Sequence, residues 1–556
     1  MRTTIGSGTG FSGLALFALI IGAAACSAGT TTIIQGAPPG DTPPPDGTTT
    51  PPAVVDPSTE GDPTSKDTPA PPLVAGLAIT DVAVFQAVKV PVVTKGKPVG
   101  KAKRNAPVVV GRPALVRVYV TLADAYKPTA VTAELRLVDG TTRLPAVKDT
   151  KTITADSTDE VGASTFNFEV PAESLPASVT YQVVLTAKGG TVPTGASDAR
   201  FPKEGGVQSL DVETSGKLKI VVVPVAYQAD GSGRTPDVSA TQLDLYKQTF
   251  MARYPATDVE VTARAAWSYP SAIAANGSGF SAVLNAITNL RKTDGVPSDV
   301  YYYGAFAPRS SFSAYCQGGC VTGLSTVVDS PQTSFLRASV GVGFPGMDSA
   351  KTAAHEVGHA HGRNHAPCGG AQGTDPNFPY SGGTIGVWGY NILDKTFLSP
   401  AKGRDMMGYC PNEWVSDYTF AALFDRISAV NGGTASAGSG SLSSGGGNPQ
   451  AASSLGGATQ TYRMAMVEGD GAATVAWGGD IELDEEPTGG DARVATFVSA
   501  SGVTIGTHTA HFYAYDHLPG GVLVVPAAPK ATSTSAQLQN AWSQVRIGGV
   551  AHALAR

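Results

Sequence analysis

Apolar and polar residues alternate with a period of two in four early stretches, Ala114–Val120, Ala133–Val138, Thr165–Val170 and Thr180–Leu185. That alternation lines one face of a strand. Turn residues separate the stretches, as at Asp139-Gly140. Short strands between turn signals across residues 73–203 predict an immunoglobulin-like β-sandwich, although the Cys-Trp-Cys pattern of a true immunoglobulin domain is missing. After Gly216 the pattern changes. Leu218–Val225 is a continuous apolar, β-branched run that suits a strand buried on both faces. Helical spacing follows in Ser239–Tyr254 (Leu243, Tyr246, Phe250) and Phe280–Arg291 (Val283, Leu284, Ile287, Leu290), with strands expected at Val259–Thr262 and Val300–Phe306. Strands alternating with helices predict an α/β layer within residues 204–431. Residues 459–556 return to strand-like runs, such as Val494–Val498 and His511–Tyr515, and predict a small C-terminal β domain, read as a second sandwich.

The segments outside these patterns mark the domain limits. Residues 1–25 have the form of an export signal, with Arg2 ahead of the apolar run Phe11–Ala25. The run ends Ala23-Ala24-Ala25-Cys26, which resembles a bacterial lipobox with Ala23 in place of the usual Leu. Acylation of Cys26 would make a cell-surface or outer-membrane lipoprotein held to the membrane by its lipid; ordinary signal cleavage would give a secreted product. Residues 26–72 are rich in Thr, Pro and Gly and read as a stalk without a packed core. Glu60-Gly61-Asp62 in this stalk is read as a chance match to an inhibitory aspartate motif. Residues 432–458 are a Gly/Ser linker.

Composition narrows the function. The charged fraction is 15% and the net charge −6, so no nucleic-acid partner is expected; a monomer is. The basic cluster Lys95–Arg104 reads as a solvated loop. The acidic run Asp480, Glu482, Asp484, Glu485, Glu486 reads as a solvated edge, and calcium has no other support.

The chemistry concentrates in His355-Glu356-Val357-Gly358-His359-Ala360-His361-Gly362-Arg363-Asn364-His365. Residues four apart on a helix share a face, so His355 and His359 can bind one zinc ion from the same side. Glu356 lies about 100° round from His355, within reach of a metal-bound water. Gly362 can take positive φ and turn the chain so that His365 becomes a third ligand. Three protein ligands leave one position open, the catalytic arrangement. His361 falls on the far side and is read as a bystander or as a group supporting the ligands from behind; His508, His511 and His517 show no ligand spacing.

Downstream lies Arg404-Asp405-Met406-Met407-Gly408-Tyr409-Cys410. The extended histidine signature followed by this segment resembles the metzincin zinc endopeptidases, over about residues 217–431. The resemblance implies that Met407 is the Met-turn residue beneath the ligands and that Tyr409 is a switchable ligand or oxyanion stabiliser. The His-Glu-Val-Gly-His form and the lipoprotein-like start are similar to secreted bacterial metzincins that degrade mucins. No cysteine-switch motif is present.

Export favours disulfides for the four cysteines beyond Cys26, and four cysteines allow three pairings. The pairing adopted is Cys316–Cys320 and Cys368–Cys410, with four unrelated thiols or a cysteine-bound metal as the alternatives. The expectation is an exported zinc endopeptidase acting on proteins or glycoproteins. The competing class is a surface adhesin or glycan-binding lipoprotein that keeps a metalloprotease-like core.

Overall fold

The structure is a computed structural model that describes residues 72–192, 194–432, 459–469, 474–499, 503–526, 542–547 and 550–555. The expected signal, Cys26, the stalk and residues 433–458 of the linker lie outside them.

The N-terminal region consists of two antiparallel sheets, one of five strands centred on Leu77–Phe85 and Ala114–Leu122, the other of six centred on Ala130–Asp139 and Val179–Ala187. The period-two runs place Val116, Val118 and Val120 from the first sheet in one apolar core with Val131, Ala133 and Leu135 from the second.

The middle region carries a mostly parallel sheet in the order Asp258–Ala263, Lys217–Tyr227, Val300–Phe306, Ala338–Val342, Gly323–Ser325. Lys217–Tyr227 is central and pairs in parallel on both sides, which is why its apolar run is nearly continuous. The last strand, Gly323–Ser325, runs antiparallel to its neighbour and forms an edge. It is too short and glycine-containing for a period to be seen in the sequence.

Alternate residues of the sheet feed two different cores. Tyr301, Tyr303 and Ala305 point to the face covered by the helices Ala240–Arg253 and Met347–Ala360, and that core continues into the N-terminal sheets. Val300, Tyr302 and Phe306 point to the face covered by the helix Phe280–Thr293, and that core continues into the C-terminal region. Packing is therefore continuous from end to end of these regions.

The C-terminal strands form a closed barrel, so the expectation of a second sandwich is corrected. The barrel closes because Thr474–Leu483 pairs on one side with Gln460–Glu468 and on the other, in parallel, with Val550–Ala555. Closure leaves no open sheet edge, a relation between distant strands that no local pattern encodes.

Candidate metal centre and active site

The helix Met347–Ala360 carries the histidine signature. Asp348 and Ser349 are residue types that can cap a helix, but Gly346 is the N-cap, with no side-chain cap hydrogen bond. The Gln242 side chain instead brackets Gly346, accepting from its N–H at 2.8 Å and donating to its carbonyl at 3.1 Å. The helix ends as its sequence requires, with Gly362 at φ 82° turning the chain toward His365.

Each of the three histidines is oriented by a main-chain carbonyl. His355 Nδ1 lies 2.6 Å from the Met406 carbonyl, His359 Nδ1 lies 2.6 Å from that of Arg363, and His365 Nδ1 meets that of Gln372. A carbonyl only accepts, so each Nδ1 carries the proton and each neutral ring presents an Nε2 lone pair. Those lone pairs converge: the Nε2 atoms of His355 and His359 are 3.0 Å apart. With both Nδ1 protons already placed, no proton remains for a hydrogen bond between them. Converging lone pairs of this kind repel each other unless a cation lies among them, so the donor set fits a metal ion. Burial and the neighbouring histidines hold His355 well below the usual imidazole range, and burial lowers His359 to about 3, so both stay neutral as ligands must be.

Beneath the helix, Met407 packs against Gly358. A Cβ at Gly358 would lie 2.6 Å from the Met407 sulfur, so the glycine within the signature is what admits the methionine. The turn is fixed by Asp405, fully buried, whose carboxylate accepts from the N–H of Met407 and from that of Ser416, each at 2.9 Å. Ser416 also caps the helix Asp417–Val430, accepting from Thr419 N–H. The structure pairs Cys316 with Cys320 and Cys368 with Cys410. The second bridge joins the segment just after His365 to the segment carrying Tyr409.

Tyr409 is 43% exposed and its hydroxyl lies 3.0 Å from His365 Nε2. Glu356 is fully buried beside the cluster, and one of its oxygens, Oε2, has no hydrogen-bond partner. Burial, and then the charge of Asp516, push its carboxyl well above the usual range. Gly323 on the edge strand makes room for it, since a Cβ there would lie 2.2 Å from Glu356 Oε1. A cleft of about 770 Å³ opens at the cluster, lined by His355, Glu356, Tyr409 and His517 together with Phe344 and Glu413.

His361 is not a solvated bystander. It is buried and stacks on Tyr301 with ring centroids 4.3 Å apart, while its Nδ1 donates to the Val357 carbonyl at 2.8 Å. Of the acidic run, Asp480 lies 3.5 Å from Arg463 Nε.

The reading of His517 is corrected outright. His517 and Asp516, from the barrel, join the histidine cluster, and their potential ligand atoms lie with those of His355, His359 and His365 within 4.8 Å of one another. Among the described residues this is the one cluster of three or more such groups suited to a metal. His517 Nε2 lies 3.0 Å from Glu356 Oε1, and its Nδ1 meets the Tyr409 hydroxyl. Burial opposes charge on His517, but Asp516 and Glu356 outweigh it and hold its pKa well above the ordinary value. No helical spacing or flanking motif links positions 516 and 517 to the signature; an Asp-His pair at a turn is too common to signal a ligand.

A model of the family Peptidase M66 matches residues 274–437, from just before the helix Phe280–Thr293 to just past the helix Asp417–Val430. The match supports a peptidase. No curated protein matches the chain. Among solved structures, a cycloisomaltooligosaccharide glucanotransferase from Paenibacillus sp., complexed with cycloisomaltoheptaose, is 15% identical at a TM-score of 0.15, covering 46% of this chain and 31% of its own. A calcium-binding mutant of Bacteroides uniformis β-glucuronidase 2 is 11% identical at 0.13, covering 41% and 27%. The chain thus spans about a third or less of the length of these two proteins, and likeness at that level says nothing about activity.

Proposed function

We propose that this chain is a zinc-dependent endopeptidase of the metzincin type, exported and acting on proteins or glycoproteins. The observation that carries the reading is the convergence of three imidazole lone pairs, each fixed by a carbonyl behind it, next to a buried carboxylate with an unpartnered oxygen. His355, His359 and His365 would hold the metal. A bound zinc supplies Lewis acidity, polarising a carbonyl oxygen and making water acidic near neutral pH.

The remaining steps belong to the chain's own groups. Glu356 takes a proton from the attacking water and passes it to the departing amine. Its burial favours that shuttle, because a carboxyl with a raised pKa holds the proton between the two steps. Tyr409 donates its hydroxyl hydrogen toward the developing oxyanion. The floor of Met407 and Asp405 keeps the His355 ring in its orientation through the Met406 carbonyl.

Export supports the two disulfides, and the lipobox-like start supports attachment to a membrane by Cys26. The M66 match over the catalytic segment supports a peptidase over an adhesin.

The test is hydrolysis of a denatured protein and of a mucin by the full chain. Activity should vanish with a zinc chelator and return with added zinc. Glu356→Ala should keep one zinc per chain while losing roughly 10²- to 10⁴-fold in kcat. Undiminished hydrolysis by that variant sinks the mechanism.

A further inference from the structure

The turn Tyr515-Asp516-His517 engages every group the proposed reaction needs. Its main chain first docks on the catalytic sheet. Val327 N–H donates to the Ala514 carbonyl at 3.0 Å, Thr326 and Tyr515 form an antiparallel bridge, and Asp516 N–H donates to the Ser325 carbonyl at 3.2 Å. The barrel therefore adds a strand-like segment where the edge strand Gly323–Ser325 ends, the way an extended peptide adds to an open sheet edge.

The side chains are then set into the metal centre. Asp516 Oδ1 accepts from Ser325 N–H at 2.9 Å, which aims Oδ2 inward. Oδ2 is fully buried, 3.2 Å from His359 Nε2 and 2.9 Å from His517 Nε2; it pairs in charge with the His517 ring, but no aligned hydrogen-bond donor reaches it. His359 has no proton to offer at Nε2, because its proton is committed to the Arg363 carbonyl. A buried carboxylate oxygen facing an imidazole lone pair is costly unless a cation lies between them. His517 completes the closure: Nε2 is 3.0 Å from Glu356 Oε1 and Nδ1 meets the Tyr409 hydroxyl.

We propose that Asp516 is a fourth protein ligand of the metal, delivered by the C-terminal barrel, and that with it in place the chain is a latent peptidase. Four protein ligands make the closed type of site, with no position for water. His517 at the same time occupies the Glu356 carboxylate and the Tyr409 hydroxyl. Turnover requires the Asp516-His517 turn to leave the cleft while His355, His359 and His365 keep the metal. The proposal rests on the zinc-peptidase reading.

The test uses the full chain loaded with cobalt(II) in place of zinc, compared with Asp516→Ala and with the nearly isosteric Asp516→Asn. Loss of a carboxylate ligand should change the visible d–d spectrum in both variants. Metal loss to a chelator should be faster by roughly tenfold or more. With zinc, kcat/KM on an unfolded peptide should rise at least about tenfold, since the competent state no longer competes with a bound carboxylate. Unfolding temperatures of the variants establish that they fold. A cobalt spectrum identical in the native chain and both variants overturns the assignment of Asp516 as a ligand. A changed spectrum with lower hydrolysis overturns latency. A chain that takes up no metal overturns both this proposal and the zinc-peptidase reading, whereas hydrolysis retained in Glu356→Ala overturns only the mechanism of that reading.

Discussion

Two β regions flank the catalytic sheet, and they meet it in opposite ways. The N-terminal sheets reach the catalytic region through residues outside the histidine cluster. Arg112, fully buried, donates to the carbonyls of Met251 and Ala256 at the end of the helix Ala240–Arg253, and Trp414 Nε1 donates to the Ala87 carbonyl at 2.9 Å. Trp414 in turn offers its carbonyl to the Met406 N–H, so the N-terminal sheets brace the methionine turn from below. None of their residues belongs to the metal cluster. The barrel contributes two of its five residues. Both regions share an apolar core with the catalytic sheet. Sharing an apolar core thus goes with unequal chemistry: the barrel docks beside the edge strand Gly323–Ser325 and places residues in the cluster, and the N-terminal sheets place none there.

Substitutions on the two sides should therefore produce different readouts. Glu356→Ala marks the full scale, with kcat per folded molecule down roughly 10²- to 10⁴-fold. On the N-terminal side, Arg112→Ala leaves a cavity and strips partners from the carbonyls of Gln86, Met251 and Ala256, for a loss of about 3–5 kcal/mol. Denaturant titration should show that loss, while kcat per folded molecule holds. A fall in kcat at full folding would mean that the N-terminal sheets act on chemistry as well as support.

Next in size, replacing Cys368 and Cys410 with Ser opens a crosslink between residues 42 apart in sequence and should cost about 2–4 kcal/mol. The same change should loosen metal retention, because the bridge ties His365's segment to Tyr409's; equilibrium dialysis of zinc checks this. The smallest effect is expected for Tyr409→Phe, roughly tenfold in kcat with KM little changed. If Tyr409 serves mainly to hold His517 in the cleft, that variant will be faster than the native chain, and the contrast between the two β regions grows sharper.

Much of this was legible along the chain. The strand runs of residues 73–203 and the central strand with its flanking helices fall where the apolar period places them, to within a few residues, and the histidine helix falls where its signature places it. Helix and strand periods are local, and burial of one face rewards them wherever they occur. The edge strand Gly323–Ser325 escaped because three residues, two of them small, carry no period. The cap at Gly346 escaped because its partner is Gln242, far away in sequence, instead of a side chain within the first turn. The barrel was read as a sandwich because alternating runs say that strands exist but not which of them pair to close a cylinder.

Spacing along the chain specifies the part of the cluster whose geometry is helical: His355 and His359 one turn apart, Glu356 about 100° round from His355, and Gly362 releasing the chain to His365. Those relations follow from a fixed rise and twist per residue, so spacing alone specifies them. Only the tertiary structure decided that Asp516 and His517 lie on the same centre. Their contacts with Ser325, His359 and Glu356 depend on how the barrel docks on a sheet edge. A separation of 161 residues between His517 and Glu356 leaves no periodic trace, because nothing but the completed packing of both domains sets that distance.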